Sequence, residues 1–172
     1  MVTDEFRKIA VSFAGGDGGN PKSEVWFCGL EWGIGDEASP DDFYKKFSLS
    51  PKLIPHSWLE DDFDGSWTTQ YNRKICWFLW YYYNLDWKNG ESAEHFVKKY
   101  DVLYPQGIGF KLNMLPINFK NRSSIKWNDQ FIKMTGFETF NEYREWCVEN
   151  RGAFYRQLID ECHPKVIICT GV

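Results

Sequence analysis

Side chains that could take part in chemistry lie at the ends of apolar runs along the chain. Glu31 follows the run Val25-Trp26-Phe27-Cys28 and stands between Gly29 and Gly33, two residues that let backbone approach a ligand closely. A carboxylate in such a loop can activate a water molecule for attack on an electrophilic carbon. The alternative is a structural acid that caps backbone N–H groups or pairs with a base. We take Glu31 as the candidate catalytic residue.

Asn113 lies in a second apolar run, residues 108–117, where a buried amide must find hydrogen-bond partners. A carboxamide presents a donor and an acceptor side by side, which suits the edge of a nucleobase. An amide that satisfies backbone groups at a strand bend is the alternative. The next segment, 118–127, mixes bases, small polar residues and aromatics without an acid. We predict phosphate contacts from three of its bases, with a solvated loop as the alternative: Lys120, Arg122 and Lys126.

Motifs for cofactors and metals have little support in the sequence. Gly33 to Ala38 fits the dinucleotide pattern GxGxxA, but its acids Asp36 and Glu37 would face the pyrophosphate with like charge. The three histidines lack ligand spacing, and the five cysteines form no CxxC pair. We therefore expect no cofactor, no metal site and buried structural cysteines. A dinucleotide binder is kept as a third alternative for the function.

The composition sets the class of protein. The chain has 172 residues, a net charge of −4 and 19% aromatic residues, so it is neither disordered nor a polybasic binder. A nucleic-acid enzyme with a local basic strip is still compatible with that charge. No run of eighteen apolar residues occurs, and the N-terminus lacks a signal pattern. We expect one cytoplasmic globular domain over residues 1–172.

The order of predicted elements indicates an α/β fold. The patterns predict helices at 4–13, 68–83, 92–100 and from a capping box at Thr139 to Cys162, with or without a break near Gly152. They predict strands at 25–28, 108–117 and 166–169, the first and last buried on both faces. This order favours a three-layer sandwich with a mostly parallel central sheet, whose ligand site lies at the carboxyl ends of the strands. The aromatic helix 68–83 is apolar on nearly every side, which fits either a core helix or a face covered by a protein partner.

Together these segments resemble the uracil-DNA glycosylase superfamily. Gly29-Leu30-Glu31-Trp32-Gly33 resembles the family's first motif, and Leu112-Asn113-Met114-Leu115-Pro116 resembles the strand whose Asn reads a flipped uracil. The helix before His163, with Pro164 to Gly171, follows the family's helix–Pro–strand–Gly segment. The resemblance implies that Glu31 handles the attacking water and that Phe43 stacks on the base. Trp32 replaces the Pro of the first motif and would lie against the base.

The resemblance implies a DNA-repair hydrolase that cleaves the N-glycosidic bond of a flipped base. The family's His-Pro-Ser motif, which stabilises the departing base, has no counterpart before Val172. Either the chain is truncated at its C-terminus or its last strand ends the sheet, and we expect weak activity from these residues alone. The expected partner is uracil-containing or single-stranded DNA, with no membrane. The alternative is a catalytically inactive glycosylase-fold module that binds nucleic acid, a nucleotide or, through residues 68–83, a protein.

Overall fold

The described part of the chain contains five helices and four short strands. The computed structural model describes residues 1–15, 18–30, 51–55, 70–88, 90–117 and 127–170. Its helices are α1 (Asp4–Ala10), α2 (Gln70–Tyr82), α3 (Ala93–Tyr100), α4 (Asp129–Thr135) and α5 (Phe140–Cys162). Its strands are β1 (Gly18–Gly19), β2 (Val25–Gly29), β3 (Phe110–Asn113) and β4 (Val166–Cys169).

The strands form one mixed sheet in the order β1-β3-β2-β4. β2 runs parallel to both β3 and β4, whereas β1 is antiparallel to β3. The prediction of an α/β fold with a mostly parallel sheet is therefore confirmed. β1 was not predicted, because two glycines carry no side chains whose alternation could indicate a strand. Since β2, β3 and β4 are parallel, their carboxyl ends lie together at the same end of the sheet. We call this end the carboxyl edge.

Helices cover both faces of the sheet. On one face, Phe27 of β2 packs with Ile75 and Leu79 of α2 in a core that also includes α3. On the other face, Trp26 packs with Leu158 of α5. A third apolar cluster joins α1, α4 and the first half of α5 beyond the carboxyl end of β3. The alternation of neighbouring residues between the two cores is that of a strand buried on both sides.

The termini of α5 follow the sequence signals. Thr139 accepts a hydrogen bond from the Glu142 backbone, and the Glu142 side chain returns to the Thr139 backbone, which completes the predicted capping box. His163 ends the helix in the left-handed conformation. Helix α5 is continuous through Gly152, so the break considered near that residue does not occur. α1 ends at Ala10, three residues earlier than predicted.

The prediction that 166–169 is buried on both faces is wrong. Of the described strands, β4 lies at one edge of the sheet, and its residues alternate between half-buried and exposed. Ile167 is 38% exposed, and the Cys169 thiol belongs to an exposed residue rather than to the core. Because a run of four apolar residues does not encode how many neighbours a strand has, the pattern overestimated burial.

Two other cysteines are deeply buried, and they make the fold sensitive to alkali. Burial raises the pKa of the Cys76 and Cys147 thiols from the ordinary value of 9.0 to about 12. The folded state therefore holds these protons in a range where the unfolded state releases them. We expect the free energy of unfolding to be fully retained below pH 9 and to fall between pH 9 and 12, by up to about 1.4 kcal/mol per pH unit for each thiol.

Urea denaturation at pH 8 and pH 10 checks this expectation. Cys76→Ala should lose part of the decrease between the two pH values, because it removes one of the buried groups whose pKa is raised. Cys169→Ser is the control and should keep the whole decrease. An unchanged decrease in Cys76→Ala would show that the thiol does not contribute.

Candidate functional site

Polar side chains gather at the carboxyl edge of the parallel strands, on the face covered by α2. In β3, Phe110 and Leu112 face the core on the α5 side. The alternation of a strand therefore directs Lys111 and Asn113 to the α2 side. Both are almost fully buried, Lys111 at 6% and Asn113 at 1% exposure. This is the edge at which open α/β sheets bind their ligands.

The Asn113 residue is fixed by hydrogen bonds from side chain and backbone. Its Nδ2 donates to the carbonyl oxygen of Gly15 over 2.9 Å. Its own carbonyl oxygen accepts from Arg151 Nε over 2.7 Å and from the Tyr155 hydroxyl. Two distant parts of the chain thus hold Asn113: the segment after α1 holds its carboxamide, and α5 holds its backbone carbonyl. Such support is what a side chain needs in order to hold a ligand in one geometry.

Gly29, the last residue of β2, is in register with Asn113. A Cβ atom built on Gly29 would lie 2.6 Å from Asn113 Oδ1, so the carboxamide occupies the space that a side chain would need. Pairing continues past the strand ends, because Leu115 N donates to Leu30 O over 2.7 Å. The segment that leads to Glu31 therefore starts beside the Asn113 carboxamide.

Lys111 and Thr170 both contact Tyr71 at the beginning of α2. Lys111 Nζ lies 5.1 Å from the centre of the Tyr71 ring, within the range of a cation–π interaction. The hydroxyl oxygens of Tyr71 and Thr170 are 3.3 Å apart. Burial raises the pKa of Tyr71 above its ordinary value of 10.0, with a partly opposing hydrogen bond from Thr170. Tyr71 thus stays a neutral hydroxyl at physiological pH, and the Lys111 amino group faces its ring.

Arg151 holds the backbone around Asn113 in place. Its side chain is fully buried and donates to four backbone carbonyl oxygens, those of Asn113, Ala10, Ser12 and Ala14, at 2.6–2.8 Å. The guanidinium therefore connects the end of β3 to the segment after α1, which also contains the Gly15 carbonyl that Asn113 binds. A planar group with five N–H donors is suited to such a role.

Of the predicted site residues, the structure describes Asn113 alone. It is the last residue of β3, whereas the sequence predicted it inside a longer strand over residues 108–117. The others fall outside the described residues: Glu31, Trp32, Phe43, Lys120, Arg122 and Lys126. The dinucleotide pattern at 33–38 also falls outside them. Thr170, at the predicted third strand end, lies at the same edge as Asn113.

Lys111 and Arg151 were not predicted, although both leave a signal in the sequence. Lys111 stands two residues before Asn113 in an apolar strand, so it must share the face of Asn113. Arg151 continues the spacing of Tyr143 and Cys147 on the buried stripe of α5. A charged residue on an otherwise apolar stripe indicates a buried group with specific partners.

Searches against protein-family models, curated proteins and solved structures found no match to this chain. Any assignment of function therefore depends on the site itself. Within the described residues, no group of three or more His, Cys, Asp or Glu side chains is placed to hold a metal ion. None of the helices described has the length and apolar character that crossing a bilayer requires.

Proposed function

We propose that this protein is a uracil-DNA-glycosylase-like hydrolase that binds a flipped base at the carboxyl edge of its sheet and cleaves the N-glycosidic bond. In this proposal the Asn113 carboxamide reads the base and Glu31 positions the attacking water. Trp32 and Phe43 contact the faces of the base, and Lys120, Arg122 and Lys126 bind phosphates of the strand.

The pairing of Gly29 with Asn113 is the observation that carries the proposal. It brings together the two segments on which the resemblance depends, one ending in Asn113 and one leading to Glu31. Asn113 is buried and held by backbone groups. A flipped base is read by hydrogen bonds to its edge, which favours a rigid carboxamide.

Lys111 supplies a chemical function that the sequence motifs lack. As the glycosidic bond breaks, its electron pair leaves with the base, which becomes an anion. A positive charge in a buried site stabilises such an anion far more than it does in water. Lys111 is buried on the face that carries Asn113. We therefore assign its ammonium to the departing base, the task of the histidine in the glycosylase family.

The reaction balances without a cofactor. Water adds through its oxygen to the anomeric carbon of the sugar as the carbon–nitrogen bond to the base breaks. Glu31 takes the proton from water, and the base anion ends as the protonated free base. The products are an abasic sugar in the strand and the free base.

A base-release assay tests the proposal. The protein is incubated with a single-stranded oligonucleotide that contains one uracil, and alkali then cleaves the strand at any abasic site. We expect cleavage at the uracil position, none with the thymine-containing oligonucleotide, and a loss of about 100-fold or more in Glu31→Gln, because a general base is removed. Absence of release at enzyme concentrations above those of the substrate would contradict the proposal.

One contact favours the non-catalytic alternative. Asn113 Nδ2 donates to the Gly15 carbonyl, as an amide with a purely structural role also does. Under this alternative the protein binds nucleic acid or a nucleotide and releases no base. Binding with strong salt dependence but without release would select it.

A further inference from the structure

Helix α2 has one buried face and one exposed face. Asn72, Ile75, Cys76 and Leu79 are buried against the sheet. On the opposite side, Trp77, Trp80 and Tyr81 are 48%, 40% and 84% exposed. A contiguous patch of exposed aromatic side chains often marks a binding surface. The exposed side of α2 is thus a candidate binding surface.

Two cations, Arg73 and Lys74, precede the exposed aromatics along the helix. Arg73, Trp77 and Tyr81 follow one another at intervals of four residues and therefore share one face of the helix. The guanidinium carbon of Arg73 lies 5.5 Å from the centre of a Trp77 ring, and Lys74 is exposed beside it. Residues 70–82 contain no Asp or Glu. We call the surface formed by Arg73, Lys74, Trp77, Trp80 and Tyr81 the α2 outer face.

This combination fits a single-stranded polynucleotide. Bases stack on aromatic rings whatever their sequence, and cations hold the backbone phosphates between them. Arg73 and Tyr81 are about 12 Å apart along the helix axis, at 1.5 Å per residue, which gives room for a few nucleotides. A folded protein partner would bury aromatics equally well, but it would have no general need for a face with cations and no acid.

The beginning of α2, next to the α2 outer face, lies at the candidate site. Tyr71, at the beginning of the same helix, contacts Thr170 and Lys111 at the carboxyl edge of the sheet. A nucleic-acid strand that lies along α2 would therefore reach this edge at Tyr71, two residues before Arg73. We propose that the α2 outer face binds single-stranded nucleic acid and leads it to the site at the carboxyl edge. The path of the nucleic acid toward the carboxyl edge rests on the proposed function, whereas its binding to the α2 outer face does not.

Fluorescence anisotropy with a labelled twenty-residue oligothymidylate tests the binding. We expect Trp77→Ala/Tyr81→Ala to weaken binding by about tenfold for each ring removed. Arg73→Gln/Lys74→Gln should lower the salt slope of log K by about 1.4, at about 0.7 for each phosphate contact. The matched control is Lys133→Gln/Val148→Ala, which removes an exposed cation and an exposed apolar side chain elsewhere and should bind as the wild type does. Thermal denaturation of each variant shows whether its fold is intact.

Three results would overturn the inference: no binding of the oligothymidylate by the wild type at low salt, equal binding by the aromatic double variant, or self-association that this variant abolishes. The last result would assign the surface to a protein partner. Failure of the proposed function looks different. Binding that depends on Trp77 and Tyr81, without release of uracil by the wild type, would leave the α2 outer face supported and the glycosylase proposal contradicted.

Discussion

Arg151→Met is expected to lower the free energy of unfolding by at least about 3 kcal/mol, which is the largest effect on stability that we predict. The wild-type guanidinium is fully buried and donates to four backbone carbonyl oxygens. Methionine keeps an unbranched apolar stem, but it is shorter and has no donor, so all four carbonyls would lose the guanidinium. Of these carbonyls, that of Asn113 would keep its hydrogen bond from the Tyr155 hydroxyl. Each buried acceptor without a partner costs about 1–3 kcal/mol.

Urea denaturation of the wild type and the variant measures this loss. Arg156→Met is a matched control, because it makes the same exchange at an exposed position of the same helix; it should change the free energy of unfolding by less than about 0.5 kcal/mol. If the two variants were equally stable, the hydrogen bonds of Arg151 would contribute little, and our account of how Asn113 is supported would be wrong.

Asn113→Ala is expected to reduce uracil release by about 100-fold or more, the largest effect on activity at a described residue. The change removes the carboxamide that we propose to contact the base and also its bond to the Gly15 carbonyl. The loss of that one bond should cost about 1 kcal/mol of stability. A protein that is still folded but has lost its activity is therefore the expected result.

Asn150→Ala separates the two effects of that substitution. Asn150 Nδ2 donates to the backbone carbonyl of Trp146 over 3.0 Å, a bond similar to that of Asn113, but inside α5. We expect similar stability in the two variants and normal activity in Asn150→Ala. Affinity for the oligothymidylate should be unchanged in both. Full uracil release by Asn113→Ala would remove this residue from the mechanism and leave it a structural role.

Much of the fold could be predicted from local patterns. The capping box at Thr139 and Glu142 marks the start of α5, and the run Val25 to Cys28 marks β2. The helix predicted at 92–100 has Ser92 as its N-terminal cap. These signals are reliable because capping and periodicity involve residues a few positions apart. Asn113 was predicted as a site residue because an amide in an apolar strand requires partners.

The parts that were missed depend on distant contacts. β1 pairs with Lys111 and Phe110, more than ninety positions away. Cys169 looked like a core residue until the strand order put β4 at the edge of the described sheet. The partners of Arg151 lie as far back as Ala10. Neither the length of a run nor its periodicity carries such information.

By itself, the sequence determined which segments become helices and strands and hence the α/β class of the fold. It also determined that the carboxyl ends of the strands are the place to look for a site, since strands linked by helices run parallel. Only the tertiary structure decided which side chains share that edge. Strand order and register bring Asn113 beside Gly29, place Lys111 against Tyr71, and leave the outer face of α2 exposed. The reason is physical: hydrogen bonds between strands and packing across the sheet join residues that no local pattern connects.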